Sequence, residues 1–309
     1  MRRGHAGILG RRPFRRSARG MPAGEGAPRS YNGRPMSDLL PPRPTLPPPA
    51  TPGRFWALLP CAGTGARAVA PGAAAGVPKQ YQAVAGLPLV LHTLAAFAGV
   101  RRLLGTLVAV APGDAFFDAH PSELHFAVAC GGATRADTVL GGLRALRERG
   151  AGEGDWVLVH DAARCLVTTA QIDALIDACE HDSVGGLLAH KLADTLKTAS
   201  EGPGGVRVAS TVDRSDKWLA QTPQMFRLGT LESALVRYGA QATDEASAME
   251  AMGLHPRLVP GGAQNFKVTY PDDFALAEAV LAQRLLPATL ERFGGPLAQG
   301  APLPGKTFF

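Results

Sequence analysis

From residue 54 onward, short apolar runs alternate with segments in which apolar residues recur every three or four positions. The short runs predict buried strands and the periodic segments predict helices. The predicted strands are residues 55–59, 105–110, 125–129 and 156–159, and the predicted helices are residues 88–98 and 136–149. This alternation indicates an α/β fold with a Rossmann-like, mostly parallel sheet covered on both faces. Ligands of such sheets bind beyond the carboxyl ends of the strands.

Two helices carry recognisable start signals. Thr134 and Asp137 have the spacing of a capping box, and Leu143 and Leu146 follow on one side of the predicted helix. A further helix is predicted from Pro271, which is followed by two acids and then by apolar residues on one face.

Residues 190–215 differ from the rest of the chain. Residues 192–198 and 206–211 favour strands, and the Gly- and Pro-containing link at 201–205 separates them. This pattern predicts a β-hairpin, which would form an arm on the α/β domain.

The N-terminal residues 1–53 have a different composition, with ten arginines, two acids and 11 of the 26 prolines. Such a segment buries too little apolar surface to offset the entropy of ordering, so we expect it to be disordered. A start codon assigned ahead of Met21 or Met36, a genuine tail and a transit peptide all remain open as its origin. We expect the main domain to span residues 54–285, followed by a tail at 286–309 that is too short for a second domain.

The basic character of the chain belongs to this N-terminal segment. The whole chain carries +6, and the segment carries more positive charge than that, which leaves residues 54–309 slightly acidic. We therefore expect no nucleic-acid partner. The longest apolar stretch, residues 87–100, is too short to cross a bilayer, so we expect no membrane association. The four cysteines are widely spaced, which is typical of free thiols in a reducing cytoplasm.

The first predicted strand runs into a glycine-rich loop. Gly63, Gly65 and Ala68 match the dinucleotide fingerprint of dehydrogenases, but the acid expected about 20 residues further on is missing. The region instead carries Arg67 and Lys79, which are full positive charges. Added cations suit a triphosphate better than a dinucleotide, so a dehydrogenase is the weaker interpretation.

The loop, together with Pro78-Lys79-Gln80-Tyr81, resembles the signature of the 4-diphosphocytidyl-methylerythritol synthases, a family with the sugar-nucleotide pyrophosphorylase fold. Further elements of that family follow in its order: Arg135-Ala136-Asp137-Thr138-Val139, Val159-His160-Asp161-Ala162-Ala163-Arg164, Asp194-Thr195-Leu196-Lys197, Thr211-Val212-Asp213-Arg214, Gln221-Thr222-Pro223-Gln224, Thr243-Asp244-Glu245-Ala246-Ser247 and Asn265-Phe266-Lys267-Val268-Thr269. The resemblance covers roughly residues 54–285.

The resemblance implies a nucleotidyltransferase that joins CTP to methylerythritol phosphate and releases pyrophosphate in isoprenoid-precursor synthesis. It implies Arg67, Lys79 and Lys267 as catalytic cations around the triphosphate, with Mg²⁺ as the expected divalent ion. The residues that it implies for binding CTP are Ala62, Gly63, Thr64, Gly65, Gly131, Gly132, Arg135 and Thr138. The family often has an acid where this chain has Ala133.

For the sugar phosphate, the resemblance implies Asp161, Arg164, Thr195, Arg214, Thr222 and Thr243. Asp161 would face the acceptor hydroxyls or the metal ion. Thr195 and Arg214 lie on the arm, which in the family crosses to a second subunit, so a homodimer is implied. Cys165 stands where the family has proline.

Two other functions remain open. A ribitol 5-phosphate cytidylyltransferase uses the same chemistry and differs in the acceptor pocket. A catalytically silent nucleotide-binding module would belong to a different class, but it would have no need to retain all of Arg67, Lys79, Asp161 and Lys267.

Overall fold

The computed structural model describes residues 53–65 and 76–293, and two short strands nearer the N-terminus. The chain divides into two units, Met1–Pro44 and Thr45–Phe309. In the first unit, β1 (Ser30–Tyr31) and β2 (Arg34–Pro35) pair antiparallel. The predicted disorder of residues 1–53 falls almost entirely outside the described residues.

The second unit is built on a seven-stranded sheet with the order β13-β9-β12-β8-β3-β6-β7. Its strands are β3 (Phe55–Pro60), β6 (Leu103–Ala109), β7 (His125–Val128), β8 (Trp156–Val159), β9 (Gly185–Lys191), β12 (Trp218–Arg227) and β13 (Arg257–Pro260). All neighbouring strands run parallel except β12, which is antiparallel to both β8 and β9. The predicted mostly parallel sheet is therefore confirmed.

Helices cover both faces of this sheet. They are α1 (Leu89–Ala98), α2 (Arg135–Glu148), α3 (Thr169–Cys179), α4 (Leu228–Tyr238), α5 (Glu245–Ala251) and α6 (Pro271–Phe293). The buried apolar side chains of α2, α4 and α5 belong to one core, and those of α3 and most of α1 belong to another. A third, smaller core joins α6 to the hairpin of β4 (Ala83–Val84) and β5 (Leu87–Pro88).

Strand β3 shows why the sheet needs both layers. Trp56 and Leu58 point into the core beneath α2, whereas Ala57 and Leu59 point into the core beneath α1. Successive strand side chains face opposite sides of a sheet, so an unbroken apolar run is buried only if both sides are covered.

The predicted strands and helices are confirmed. Most of their predicted ends lie within two residues of the ends in the structure. The predicted capping box is present, because the Thr134 side chain accepts from the Asp137 N–H and the Asp137 carboxylate accepts from the Thr134 N–H. Strand β12 was not predicted, because its polar Gln221, Thr222 and Gln224 break the apolar pattern although they are buried.

The predicted hairpin is also confirmed, as strands β10 (Leu196–Gly202) and β11 (Gly205–Val212). Both strands extend closer to the turn than predicted, and the first begins at Leu196, four residues after the predicted start at 192. Gly204 and Gly205 have φ of 81° and 110°, a backbone region that favours glycine, and they let the chain reverse within two residues. The hairpin forms its own two-stranded sheet, and nearly all its side chains are exposed.

In the ranges that the structure describes, no helix combines the length and the apolar character needed to span a membrane.

Candidate active site

The loops that follow β3, β7 and β8 border a cavity of about 430 Å³. This is the carboxyl end of the parallel strands, where the sequence predicts a ligand site. The loop 62–65, Gly132, Thr138 and Asp161 all line the cavity, as do Lys79 and Lys267 from two further segments. Arg67 lies outside the described residues.

Short-range packing fixes the glycine-rich loop. Gly65 has φ of 63°, and a Cβ atom there would overlap the side chain of Lys79, so glycine is required. The buried Gln80 donates to the carbonyls of Cys61 at 2.8 Å and Gly63 at 3.0 Å. The Lys79 ammonium donates to the Val268 carbonyl at 2.7 Å, which ties the loop to the segment that carries Lys267.

Tyr81 anchors the same segment from the other side. Its hydroxyl donates to Asp114 at 2.6 Å, and its ring stacks on Phe116 with a centroid separation of 4.0 Å. Sequence reasoning assigned no role to Gln80 or Tyr81, although both belong to the Pro-Lys-Gln-Tyr motif that marked the site.

The two predicted glycines after β7 have different surroundings. Gly132 lines the cavity, and its N–H donates to the Thr138 hydroxyl at 3.1 Å. Gly131 is outside the cavity lining, and a Cβ atom there would overlap Ala62 and the Val110 carbonyl. Its small size therefore permits close approach between two loops, and a direct contact with CTP stays a prediction.

A network of charged side chains crosses the cavity floor. Asp161, which follows β8, pairs with Arg135 at 3.0 Å and with Lys267 at 2.7 Å. Burial alone would raise the pKa of Asp161, but Arg135 and then Lys267 outweigh it and hold that pKa far below its usual range. Asp161 is therefore an anion at neutral pH.

Arg135 has a second carboxylate partner that the sequence analysis did not single out. Its two terminal nitrogens bond to the fully buried Glu245, at 2.6 and 3.0 Å. Burial opposes the charge on Arg135, but Glu245 and Asp161 outweigh that effect and keep the pKa of the guanidinium above its usual value. The sequence signal for Glu245 was its place in a recognised motif at the start of a helix.

A second cavity, of about 240 Å³, adjoins the first. Arg135, Asp161 and Lys267 line both cavities, so the two are lobes of one cleft that meet at these charges. Arg164, Thr222 and Thr243, all predicted for the acceptor, line only the smaller lobe. Arg164 donates to the carbonyls of Asn265 and Ala220, at 2.8 and 3.2 Å, and burial lowers its pKa.

Thr222 holds the end of β8 in place. Its hydroxyl oxygen accepts from the Asp161 N–H at 3.1 Å and lies 3.0 Å from Nδ1 of His160. Nε2 of His160 lies 3.2 Å from the Arg164 carbonyl, so Nε2 carries the proton and Nδ1 accepts from Thr222. Burial lowers the pKa of His160 to about 4, so the ring is neutral near pH 7. His160 is thus a structural residue at the strand end.

The two predicted arm residues do not reach this cleft. Thr195 and Arg214 are exposed and line neither lobe within the chain. Their predicted role requires a second subunit and stays a prediction.

Metal-binding side chains are not clustered in the part of the chain that the structure describes. No group of three or more His, Cys, Asp or Glu residues there could hold a metal ion by itself. The four cysteines are all free, and three of them are buried.

A glycine-rich loop and converging cations, placed at the carboxyl ends of a doubly covered α/β sheet, are the arrangement of a nucleotidyltransferase. A family model for 2-C-methyl-D-erythritol 4-phosphate cytidylyltransferase matches residues 55–283. The chain belongs to this family and is accordingly a cytidylyltransferase, which confirms the family and enzyme class expected from the motifs.

Relatives and solved structures agree. The bifunctional enzyme IspD/IspF of Albidiferax ferrireducens is 63% identical over 241 residues, which cover 77% of this chain and only 56% of that relative. The 2-C-methyl-D-erythritol 4-phosphate cytidylyltransferase of Paraburkholderia phymatum is 51% identical over 235 residues, or 74% of this chain and 97% of the relative. These findings do not favour the ribitol alternative.

Among crystal structures, a 4-diphosphocytidyl-2C-methyl-D-erythritol synthase matches with a TM-score of 0.63 and 38% identity, covering 74% of this chain and 98% of its own. The Francisella tularensis 2-C-methyl-D-erythritol 4-phosphate cytidylyltransferase matches with a TM-score of 0.61 and 31% identity, covering 74% and 100%. The predicted fold class is therefore confirmed.

The buried His160 makes the first testable prediction. The unfolded chain takes up a proton near pH 6.5, but the folded protein does not until about pH 4, so unfolding becomes easier as the pH falls through that range. The contribution reaches up to about 3 kcal/mol. Asp161 adds little in this range, because its carboxyl in the unfolded chain takes up protons mainly below its ordinary pKa of 3.8, and it is the same in every variant. We expect His160→Gln to remove this pH dependence in urea unfolding measured from pH 7 to 4.

The exposed His181 provides the matched control. Burial also lowers the pKa of His125, but His125 is unchanged in every variant. The difference in pH dependence between the wild type and His160→Gln therefore reports on His160. His181→Gln should unfold with the pH dependence of the wild type. An unchanged slope in His160→Gln would show that His160 is not held neutral.

Proposed function

We propose that this chain transfers CMP from CTP to 2-C-methyl-D-erythritol 4-phosphate and releases pyrophosphate, with one substrate in each lobe of the cleft. The larger lobe, beside the glycine-rich loop, takes CTP, and the smaller lobe takes the sugar phosphate. The observation that carries this proposal is that Arg135, Asp161 and Lys267 line both lobes. Charged groups therefore stand where an acceptor phosphate would meet the α-phosphate of CTP.

The reaction needs positioned charge rather than a general base. An oxygen of the acceptor phosphate attacks the α-phosphorus, and the bond from that phosphorus to the pyrophosphate oxygen breaks. A phosphate monoester has its second pKa at about 6, so the nucleophile is already ionised. Negative charge builds up on the α-phosphate and the leaving group, and preorganised cations stabilise it.

The residues around the larger lobe suit these tasks. Backbone amides of the loop 62–65, with Lys79 and Arg67, would hold the triphosphate, and Lys267 would approach the α-phosphate. Gly132, Arg135 and Thr138, with Gly131 behind them, would shape the cytosine and ribose site. In the smaller lobe, Asp161, Arg164, Thr222 and Thr243 would bind or position the sugar phosphate.

The residues of this site suit Mg²⁺ only when the ion binds together with the triphosphate. Both oxygens of Asp161 are already bonded to cations, and Mg²⁺ typically takes one or two carboxylates together with phosphate oxygens and water. Asp161 would then be its protein carboxylate. Bound there, the ion would neutralise charge on the triphosphate.

We further propose a homodimer through the arm. Leu196, Val206 and Val208 on the hairpin are 38%, 66% and 66% exposed, an apolar surface that a second subunit would cover. Crossing to the partner would bring Thr195 and Arg214 of one subunit to the acceptor lobe of the other. Arginine suits a phosphate there, because its planar fork binds two oxygens.

The free cysteines favour the cytoplasm as the place of reaction. Burial raises the pKa of the Cys61, Cys165 and Cys179 thiols to about 12, so they are neutral and unreactive. Side chains of this kind act as small apolar residues in a reducing compartment.

Pyrophosphate release tests the function directly. The full chain would be assayed with Mg²⁺ and each of ATP, CTP, GTP and UTP, with methylerythritol phosphate or ribitol 5-phosphate as acceptor. We expect release only with CTP and methylerythritol phosphate. Release with the ribitol acceptor alone would contradict the proposed substrate, and release with neither would contradict the function.

Loss of a single cation tests the catalytic assignment. We expect Lys79→Ala and Lys267→Ala each to lower kcat by about 10²-fold, as for the loss of one preorganised donor. Arg257→Ala provides the control, because Arg257 begins β13 at the opposite end of the sheet. Near-normal kcat in both lysine variants would refute the assignment.

Mixing two inactive variants tests the shared site. Arg214→Ala damages the arm, and Lys267→Ala damages the pocket. In a mixed dimer, one of the two sites has both an intact arm and an intact pocket. Equal mixing with subunit exchange should therefore restore about a quarter of wild-type activity. No recovery, although mixed dimers are detected by mass spectrometry, would show that the arm serves its own pocket.

A further inference from the structure

Glu245 contacts neither lobe of the cleft, yet it holds one of the cleft's cations. Its side chain is fully buried and is absent from the lining of both lobes. It grips Arg135 with both oxygens, in the fork-to-fork geometry that is the strongest arrangement of an arginine and a carboxylate. Among its described hydrogen bonds and ion pairs, the Glu245 side chain reaches the cleft through Arg135.

The backbone that carries Glu245 is itself held in place. Glu245 opens α5, and the buried Gln224 of β12 clamps that helix start. Its side-chain carbonyl accepts from the Ala246 N–H at 2.7 Å, and its amide donates to Asp244 at 2.9 Å. Because β12 pairs with β8, this clamp sets Glu245 relative to the strand that leads into Asp161.

The two cations that pair with Asp161 differ in the number of bonds that hold them in place. Arg135 is bonded to Asp161 through Nε and to both oxygens of Glu245 through its terminal nitrogens. Lys267 has a single ion pair among the described residues, with Asp161, and its side chain is 37% exposed. Lys267 can therefore leave Asp161 at a much lower cost than Arg135 can.

We propose that Glu245 is a positioning residue that locks Arg135 beside Asp161, so that Lys267, and not Arg135, exchanges Asp161 for the α-phosphate. The inference rests on the proposed function. When Lys267 moves to the phosphate, Arg135 still neutralises Asp161, so no buried carboxylate is left without a partner. Without this lock, the planar fork of Arg135 would itself bind the triphosphate, and Lys267 would stay on Asp161.

Steady-state kinetics of Glu245→Gln test the inference. Glutamine keeps the size of the side chain but removes the charge that locks Arg135. We expect kcat to fall about tenfold or more, whereas the KM for CTP stays the same or falls, because a released Arg135 binds the ground-state triphosphate. A variant with a distorted pocket would instead raise the KM for CTP. An unfolded fraction would lower the apparent kcat without changing KM, so kcat is calculated for the folded fraction that thermal unfolding gives. A raised KM, or an unchanged kcat, would overturn the proposal.

Glu232→Gln is the matched control. Glu232 of α4 pairs with Arg147 of α2 at 2.8 Å. Because Arg135 also belongs to α2, the substitution removes another ion pair of that helix, away from the cleft. It should leave both kcat and KM as in the wild type. If the wild type and this control release pyrophosphate with CTP and methylerythritol phosphate, the proposed function stands whatever Glu245→Gln does.

Glu245→Asp keeps the inference testable if the glutamine variant does not fold, which its thermal unfolding would reveal. Aspartate retains the charge with a shorter reach. We expect its kcat to lie below the wild type and, where the glutamine variant folds, above that variant, with the KM for CTP not raised. A loss of kcat accompanied by a raised KM for CTP would refute the lock in this variant too.

Discussion

The buried charge of Asp161 is the constraint on which the site depends. An isolated carboxylate at the buried end of β8 would cost several kcal/mol, so the fold must bring cations to it. Arg135 comes from the start of α2 and Lys267 from the segment before α6, and both ion pairs are short. Neutralising one carboxylate thus fixes two walls of the cleft and places positive charge where its lobes meet.

The fold meets this constraint through ordinary packing and capping. Two-sided burial of β3 and β8 aligns the strand ends, and the Thr134 cap starts α2 at the residue that faces Asp161. His160 and Thr222 are hydrogen-bonded to each other behind Asp161, and the Thr222 hydroxyl also accepts from the Asp161 N–H. Glu245, brought in by α5, completes an alternating row of two acids and two bases.

Much of this could be read from the sequence. The apolar runs predicted β3, β6, β7 and β8 but missed the parallel pair β9 and β13. Thr134 and Asp137 predicted a helix start, and the motifs located most of the residues that line the cleft. Strand β12 escaped because buried polar residues mimic a loop in sequence. The partnership of Arg135 with Glu245 escaped because the two residues are far apart along the chain and meet only in the folded protein. Gly131 was predicted to bind CTP, yet its surroundings explain it by loop packing alone.

We infer a division of roles at Asp161, in which Arg135 is locked, Lys267 is movable, and the movable cation serves the phosphate. A crystal structure of the protein with bound CTP would show which cation moves. We expect the triphosphate against the loop 62–65, the Lys267 ammonium on the α-phosphate, and Arg135 still bonded to both Asp161 and Glu245. A triphosphate bound by Arg135, with Lys267 still paired to Asp161, would contradict this division of roles.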